Sequence, residues 1–177
     1  ETLPGHLTES DEVLHLILNS AETASARLSF YRAAFGSGGG NSPLETLQDL
    51  VAKYFLRSKL QIKWKETSQK ELPFHPWGRV LLNAVLWMSE CAPRGGALHI
   101  TVPTEEQPLL SLCLKADSII LHQGTVEALE GKADLHDVTP RTIPCYLIYT
   151  LVHLEKGTLA VHKNASPSEL LLDVRMA

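Results

Sequence analysis

The chain has 177 residues, 44% of them hydrophobic and 20% charged, which is enough to bury one domain core with a smaller appendage and too apolar for a disordered chain. Its formal net charge of −4 and isoelectric point near 6.1 leave no basic surface in bulk, which argues against nucleic acid and anionic membrane partners. No apolar run approaches the ~20 residues that span a bilayer, and no charged-then-apolar leader opens the chain. Cys91, Cys113 and Cys145 stand far apart in apolar runs, an odd set that reads as reduced, buried thiols in a soluble cytoplasmic protein.

The first pattern predicts a helix from about Ser10 to Phe35, in which Leu14, Ile17, Ala21, Ala24, Leu28, Tyr31 and Phe35 recur at alternating steps of three and four. Ser10 or Thr8 can cap its start, Asp11 and Glu12 sit near the positive end of its dipole, and Gly36 stops it. At ~1.5 Å per residue it is about 39 Å long, and so narrow a seam needs a partner helix. The run "GSGGGNSP", Gly36 to Pro43, divides this arm, residues 1–36, from a domain over 42–177. Ser42-Pro43-Leu44-Glu45 then reads as a capping box with proline at the first helical position, opening a helix through Leu47, Val51 and Phe55.

"LQIKW", Leu60 to Trp64, alternates as a half-buried strand. A third helix runs from about Pro76 to Cys91, and "ALHITV" and "LLSLCLKA" follow as strands. Thr139-Pro140 opens a last helix that Gly157 ends, and strands at 158–162 and 169–174 close the chain. Helices and antiparallel strands mix without strict βαβ alternation, which points to an α+β two-layer sandwich behind a helical arm.

The string from Leu81 to Gly96, "LLNAVLWMSECAPRGG", is similar to the N-box of the GHKL ATPase superfamily. In that superfamily a first asparagine binds Mg, a second, four residues on, faces the nucleotide, and a cation follows three later. Here Asn83 holds the first position, but Trp87 and Glu90 hold the other two. An indole beside the metal and a carboxylate near anionic phosphates should abolish ATP affinity. The superfamily's glycine-rich turns, whose backbone N–H groups approach phosphate closely, are also missing: Ala116-Asp117-Ser118 keeps only the aspartate, and "HDVTPRTIPCYL" has no glycine. The resemblance therefore implies a degenerate nucleotide site at Asn83, Trp87, Glu90 and Asp117, with no cofactor and no metal.

The strings "SARLSFYRAAFG", "APRGG" and "VTPRTIPCYLIYTLVHLEKGTLAV" together resemble the ChpT-type histidine phosphotransferases of alphaproteobacterial phosphorelays, from about Val13 to Val174. That resemblance implies a homodimer whose helical arms build a four-helix bundle, each arm followed by a degenerate Bergerat (GHKL ATPase-like) domain. It implies a relay of phosphoryl groups between the receiver domain of a hybrid histidine kinase and response regulators. The family's phosphorylated histidine sits on a helix upstream of the segment resembling Val13 to Gly36, and the sequence as given starts after it.

No residue here therefore stands as the carrier. His15 is the weak candidate, on the long helix with Asp11 and Glu12 one turn before it, where a carboxylate could orient the ring. His136-Asp137 forms the family's dipeptide, but in the loop where a phosphate lid would have been. The remaining histidines show no paired metal spacing, and no G-x-S-x-G signature appears. Arg27, Phe30 and Arg32 lie off the heptad seam and are expected to form a receiver-docking surface, with Phe30 as its exposed apolar anchor. Phosphotransfer is the leading reading. Its rival is a non-catalytic dimeric adaptor that binds receiver or kinase domains without a phosphoacceptor histidine.

Overall fold

The computed structural model describes residues 9–36, 42–65, 72, 76–164 and 168–176, with Glu9 and Ser10 described by their backbone alone. Thr8, the linker residues 37–41, and His6 and His75 among the remaining histidines lie outside the described residues. Chain order is α1 (Glu9–Phe35), α2 (Leu44–Phe55), β1 (Leu60–Trp64), α3 (Trp77–Cys91), β2 (Gly96–Thr101), β3 (Leu109–Lys115), α4 (Thr125–Leu129), a 3-10 turn at Leu135–Asp137, α5 (Ile143–Leu154), β4 (Thr158–Asn164) and β5 (Glu169–Arg175).

The strands form one five-stranded sheet in the order β1-β2-β3-β5-β4, with β1 parallel to β2 and every other pair antiparallel. Register follows apolar alternation: Leu98 opposes Leu114, Ile100 opposes Leu112, and Leu112 opposes Leu172 on β5, so one face of the sheet is a continuous aliphatic floor. Leu98, Ile100, Leu110, Leu112, Leu114, Leu170, Leu172 and Val174 are all buried there. The opposite face carries His99, Cys113, Asp173 and His162, as period-2 alternation requires. The tight link from α3 to β2 depends on Gly95, whose φ of 96° a side chain would strain and whose Cβ would meet the Lys59 carbonyl oxygen at 2.5 Å.

Helix α3 lies at the centre of the helical layer. It touches α5, α1, α2 and β3, and nearly all of its residues from Trp77 to Met88 are buried. A helix apolar around most of its circumference needs neighbours on every side, and this one has them.

Two local expectations are corrected. Pro43 is the residue before α2 rather than its first turn, with an extended ψ of 148°, and its carbonyl accepts from Leu47 N–H at 3.2 Å. No side chain caps that helix, so the Ser42–Glu45 capping box does not form. The last helix starts at Ile143, not Thr139, because Thr139 and Thr142 close a turn on each other: Thr139 N–H donates to Thr142 Oγ1 at 2.8 Å.

The arm is packed on a different side from its heptad seam. Phe30 and Ala34 are fully buried, whereas Leu14, Ile17 and Leu28 are more than half exposed. At 3.6 residues per turn the seam is centred roughly 130° around the helix from Phe30 and Ala34. In the first half of α1, Val13, Leu14, Leu16, Ile17 and Leu18 are all more than half exposed. Those five spread over roughly 200° of the circumference. Among the described residues no helix is long and apolar enough to cross a membrane.

Candidate functional site

Asn83, Trp87 and Glu90 recur at steps of four and three along α3 and so share one face of it. Asn83 is fully buried. Its Nδ2 donates to the carbonyl oxygens of Ala34 in α1 and of Arg79 one turn back, both at 2.9 Å, and its Oδ1 has no partner among the described residues. The amide ties two helices together through its donors, and Oδ1, the atom a metal would need, is buried with no solvent access. Trp87 is 1% exposed and occupies the next turn as part of the hydrophobic core.

Glu90 ends the stripe. Burial pushes its carboxyl above the ordinary range, against the pull of Arg141 and then His122. Arg141 Nε stands 4.0 Å from Glu90 Oε2, which is a loose ion pair beyond hydrogen-bond reach. The carboxylate therefore faces a cation supplied by the chain itself, from the segment just before α5. Asp117 is elsewhere: it lines an open cleft of about 540 Å³ with Arg94, Gly95, Gly96, Lys115 and Ser168, which none of the other three residues borders. Asn83, Trp87 and Glu90 thus share a face of α3, while Asp117 lines a cleft apart from them.

The expected docking trio is also divided. Phe30 is not an exposed anchor: its ring lies 4.3 Å from that of Tyr54 and 6.4 Å from that of Phe55, both on α2, and it has no exposed surface. A phenylalanine off the heptad seam was free to be used against the chain's own body, and it is. Arg27 is exposed and borders a groove of about 560 Å³ between α1 and α2, with Thr23, Ala26, Tyr54 and Arg57 among its walls. Arg32 is exposed but does not line that groove, and projects roughly 140° around the helix from Arg27.

Sequence reasoning missed the polar link beside Phe30. Tyr31 and Tyr54 share a hydroxyl–hydroxyl hydrogen bond of 2.9 Å, and Tyr31 stacks on Phe35 at 5.8 Å. Burial first, and the Tyr31 hydroxyl second, push the Tyr54 phenol well above its usual value. The only signal in the sequence was the density of aromatics in "SFYRAAF" and "YF".

His15 is exposed on α1, and His136 is exposed in the 3-10 turn, its backbone N–H bound to Asp134 Oδ1 at 2.9 Å. The described residues include no group of three or more His, Cys, Asp or Glu side chains arranged to hold a metal ion. The three cysteines are free thiols; burial raises Cys91 to about 12 and Cys113 to about 11.

Comparison with known proteins adds four findings. Residues 44–167 match the family model of the histidine phosphotransferase C-terminal domain. The protein phosphotransferase ChpT of Brucella abortus (strain 2308) is 27% identical over 165 residues, which cover 91% of this chain and 77% of that protein. A solved bacterial phosphotransferase superposes with a TM-score of 0.79 at 24% identity, over 95% of this chain and 80% of the other. The histidine kinase domain of a blue-light-activated kinase from Erythrobacter litoralis superposes with a TM-score of 0.54 at 11% identity, over 98% and 88%. The last two speak to fold alone: a histidine-kinase-like α+β domain.

Proposed function

Because the chain belongs to the histidine phosphotransferase family, we propose that it relays phosphoryl groups between receiver domains, those of a hybrid histidine kinase and of response regulators, and binds no ATP of its own. The observation that carries the second half is the α3 stripe. Asn83 is tied to the arm, Trp87 is buried, and Glu90 faces Arg141, so the side chains that would meet metal and phosphate are turned inward or carry the wrong sign.

In this reading residues 1–36 are the dimerisation and phosphotransfer arm and 42–177 the degenerate kinase-like body. The exposed apolar arc of α1 supports a homodimer built through the arm. Leu14, Ile17 and Leu28 point away from the body, and an arc of roughly 200° at Val13 to Leu18 calls for neighbours on more than one side, as in a four-helix bundle. Two helices meeting along such a seam bury aliphatic surface that a lone arm leaves in water, worth about 1.5–3 kcal/mol for each large side chain fully covered.

The chemistry asks little of the body. A histidine nitrogen attacks the phosphorus of a receiver's aspartyl phosphate in line, the carboxylate leaves, and the receiver's own Mg neutralises the oxygens. What the carrier supplies is a rigid helix that presents the imidazole. The carrier histidine belongs to a helix preceding α1 in the family's pattern, with His15 only a weak stand-in. Incubating the chain with a labelled phospho-receiver, with and without a His-Asp helix joined ahead of residue 1, tests this. Binding of the receiver without transfer to any form would favour the adaptor.

A further inference from the structure

We infer that Asn83, together with Phe30 and Tyr31, locks α1 to the α2–α3 body as one rigid unit, so that the arm does not swing over the body. The position that resembles a metal-ligand asparagine would then serve as a tether. The first observation is chemical. Ala34 lies in the last turn of α1, where helix carbonyls have no intrahelical donor, and Asn83 Nδ2 supplies that donor from 49 residues away at 2.9 Å inside a fully buried site. Shifting α1 along α3 while the joint stays closed would leave the Ala34 carbonyl and the Asn83 amide buried without each other.

The second observation is the packing around this bond. Phe30 sits 4.3 Å from Tyr54 and edge-on to Phe55 at 6.4 Å, and the Tyr31 and Tyr54 hydroxyls bond at 2.9 Å on its flank. The joint thus has an apolar centre with a polar tie on α3 and another on α2. Three contacts to two different helices fix direction as well as distance, which one contact does not.

The third is Asn83 Oδ1, which is buried with no hydrogen-bond partner among the described residues. A buried amide oxygen without a partner costs stability, and an aliphatic residue of similar size would avoid that cost. Asparagine here is a poor filler and a good tether. A kinase that phosphorylates its own arm must carry its nucleotide domain to that arm. A body that holds no nucleotide has no such journey to make, and a fixed arm gives a docked partner one geometry. The inference concerns the joint alone and stands or falls separately from phosphoryl transfer.

The test is a distance distribution by pulsed electron paramagnetic resonance, with spin labels at Ser20→Cys on α1 and Glu155→Cys beyond α5, both exposed positions, in a Cys113→Ser background. Labelled chain is diluted into excess unlabelled chain so that pairs within one chain dominate. A single narrow peak for the parent, and at least a doubling of its width in Asn83→Leu with the urea midpoint kept, is the expected result. A broad or multiple distribution in the parent overturns the inference without any variant. So does a folded Asn83→Leu that keeps the parent's width. Should Asn83→Leu fail to fold, Asn83→Ser, too short to reach the Ala34 carbonyl, is read against the same two outcomes.

Discussion

Phe30→Ala separates two accounts of one residue. An exposed docking anchor would leave stability nearly unchanged on truncation and weaken a complex, whereas the buried ring described here should do the opposite. Phe30 has no exposed surface and contacts three aromatic rings, with centroids 4.3, 6.2 and 6.4 Å away. Removing a buried phenylalanine costs about 3–5 kcal/mol, from lost transfer energy and the cavity left behind. The site can collapse little, because Tyr54 is held by Tyr31 and Ala34 is backed by Asn83, so the upper half of that range applies. With a urea slope of about 2 kcal/mol/M, a loss of about 4 kcal/mol lowers the midpoint by roughly 2 M. Trp77 and Trp87, both buried, supply the fluorescence signal for the titration. A Phe30→Ala midpoint within roughly 0.3 M of the parent, where the slope is about 2 kcal/mol/M, would refute the packing argument.

Three further outcomes are expected. Leu28→Asp, at a position 64% exposed in the single chain, should halve the mass seen by sedimentation equilibrium while leaving the body's urea midpoint in place; an unchanged mass would remove the seam from the dimer. Calorimetric titration with Mg-ATP should show no binding, and Trp87→Asn should not create it, since the glycine loops are still absent; micromolar affinity, about 8 kcal/mol, in the parent would contradict the closed stripe. Cys91 is raised from its ordinary value of 9.0 to about 12 by burial, so the folded state keeps a proton that the unfolded chain releases. Its contribution to stability is complete below pH 9 and is lost as pH climbs from 9 toward 12. Urea midpoints measured across that window should fall less steeply in Cys91→Ala than in the parent, and identical slopes would sink this assignment.

Regular elements were legible where one periodicity ran unbroken. "LQIKW" and "LLSLCLKA" alternate cleanly and fold as β1 and β3, and the long helix ends at Phe35 as its pattern and Gly36 require. The short α4, Thr125–Leu129, was missed because five residues present no period, and it depends on Gly124 at φ 82° and on its contact with α5. The site was less legible for a physical reason. The body-facing side of α1 is built mostly of small residues, Thr23, Ala26, Ala33 and Ala34, around a fully buried Phe30, so the seam's aliphatics outweighed it in the pattern. Sequence can mark Asn83 as an odd polar residue inside an apolar helix, but not that its partner is a carbonyl 49 residues away. Glu90 could be read as the wrong charge for a phosphate site; that Arg141 would answer it depends on how the 117–142 segment returns to α3.

The most direct test of the account is transfer from a receiver domain carrying a labelled aspartyl phosphate, set beside incubation with labelled Mg-ATP. Three proteins are compared: the 177-residue chain, its His15→Ala variant, and the chain with a His-Asp helix joined ahead of residue 1. The account predicts an acid-labile, alkali-stable label only on the third protein, only from the receiver, and none on any of them from ATP. Label taken from ATP, or label on the 177-residue chain that disappears with His15→Ala, would contradict it.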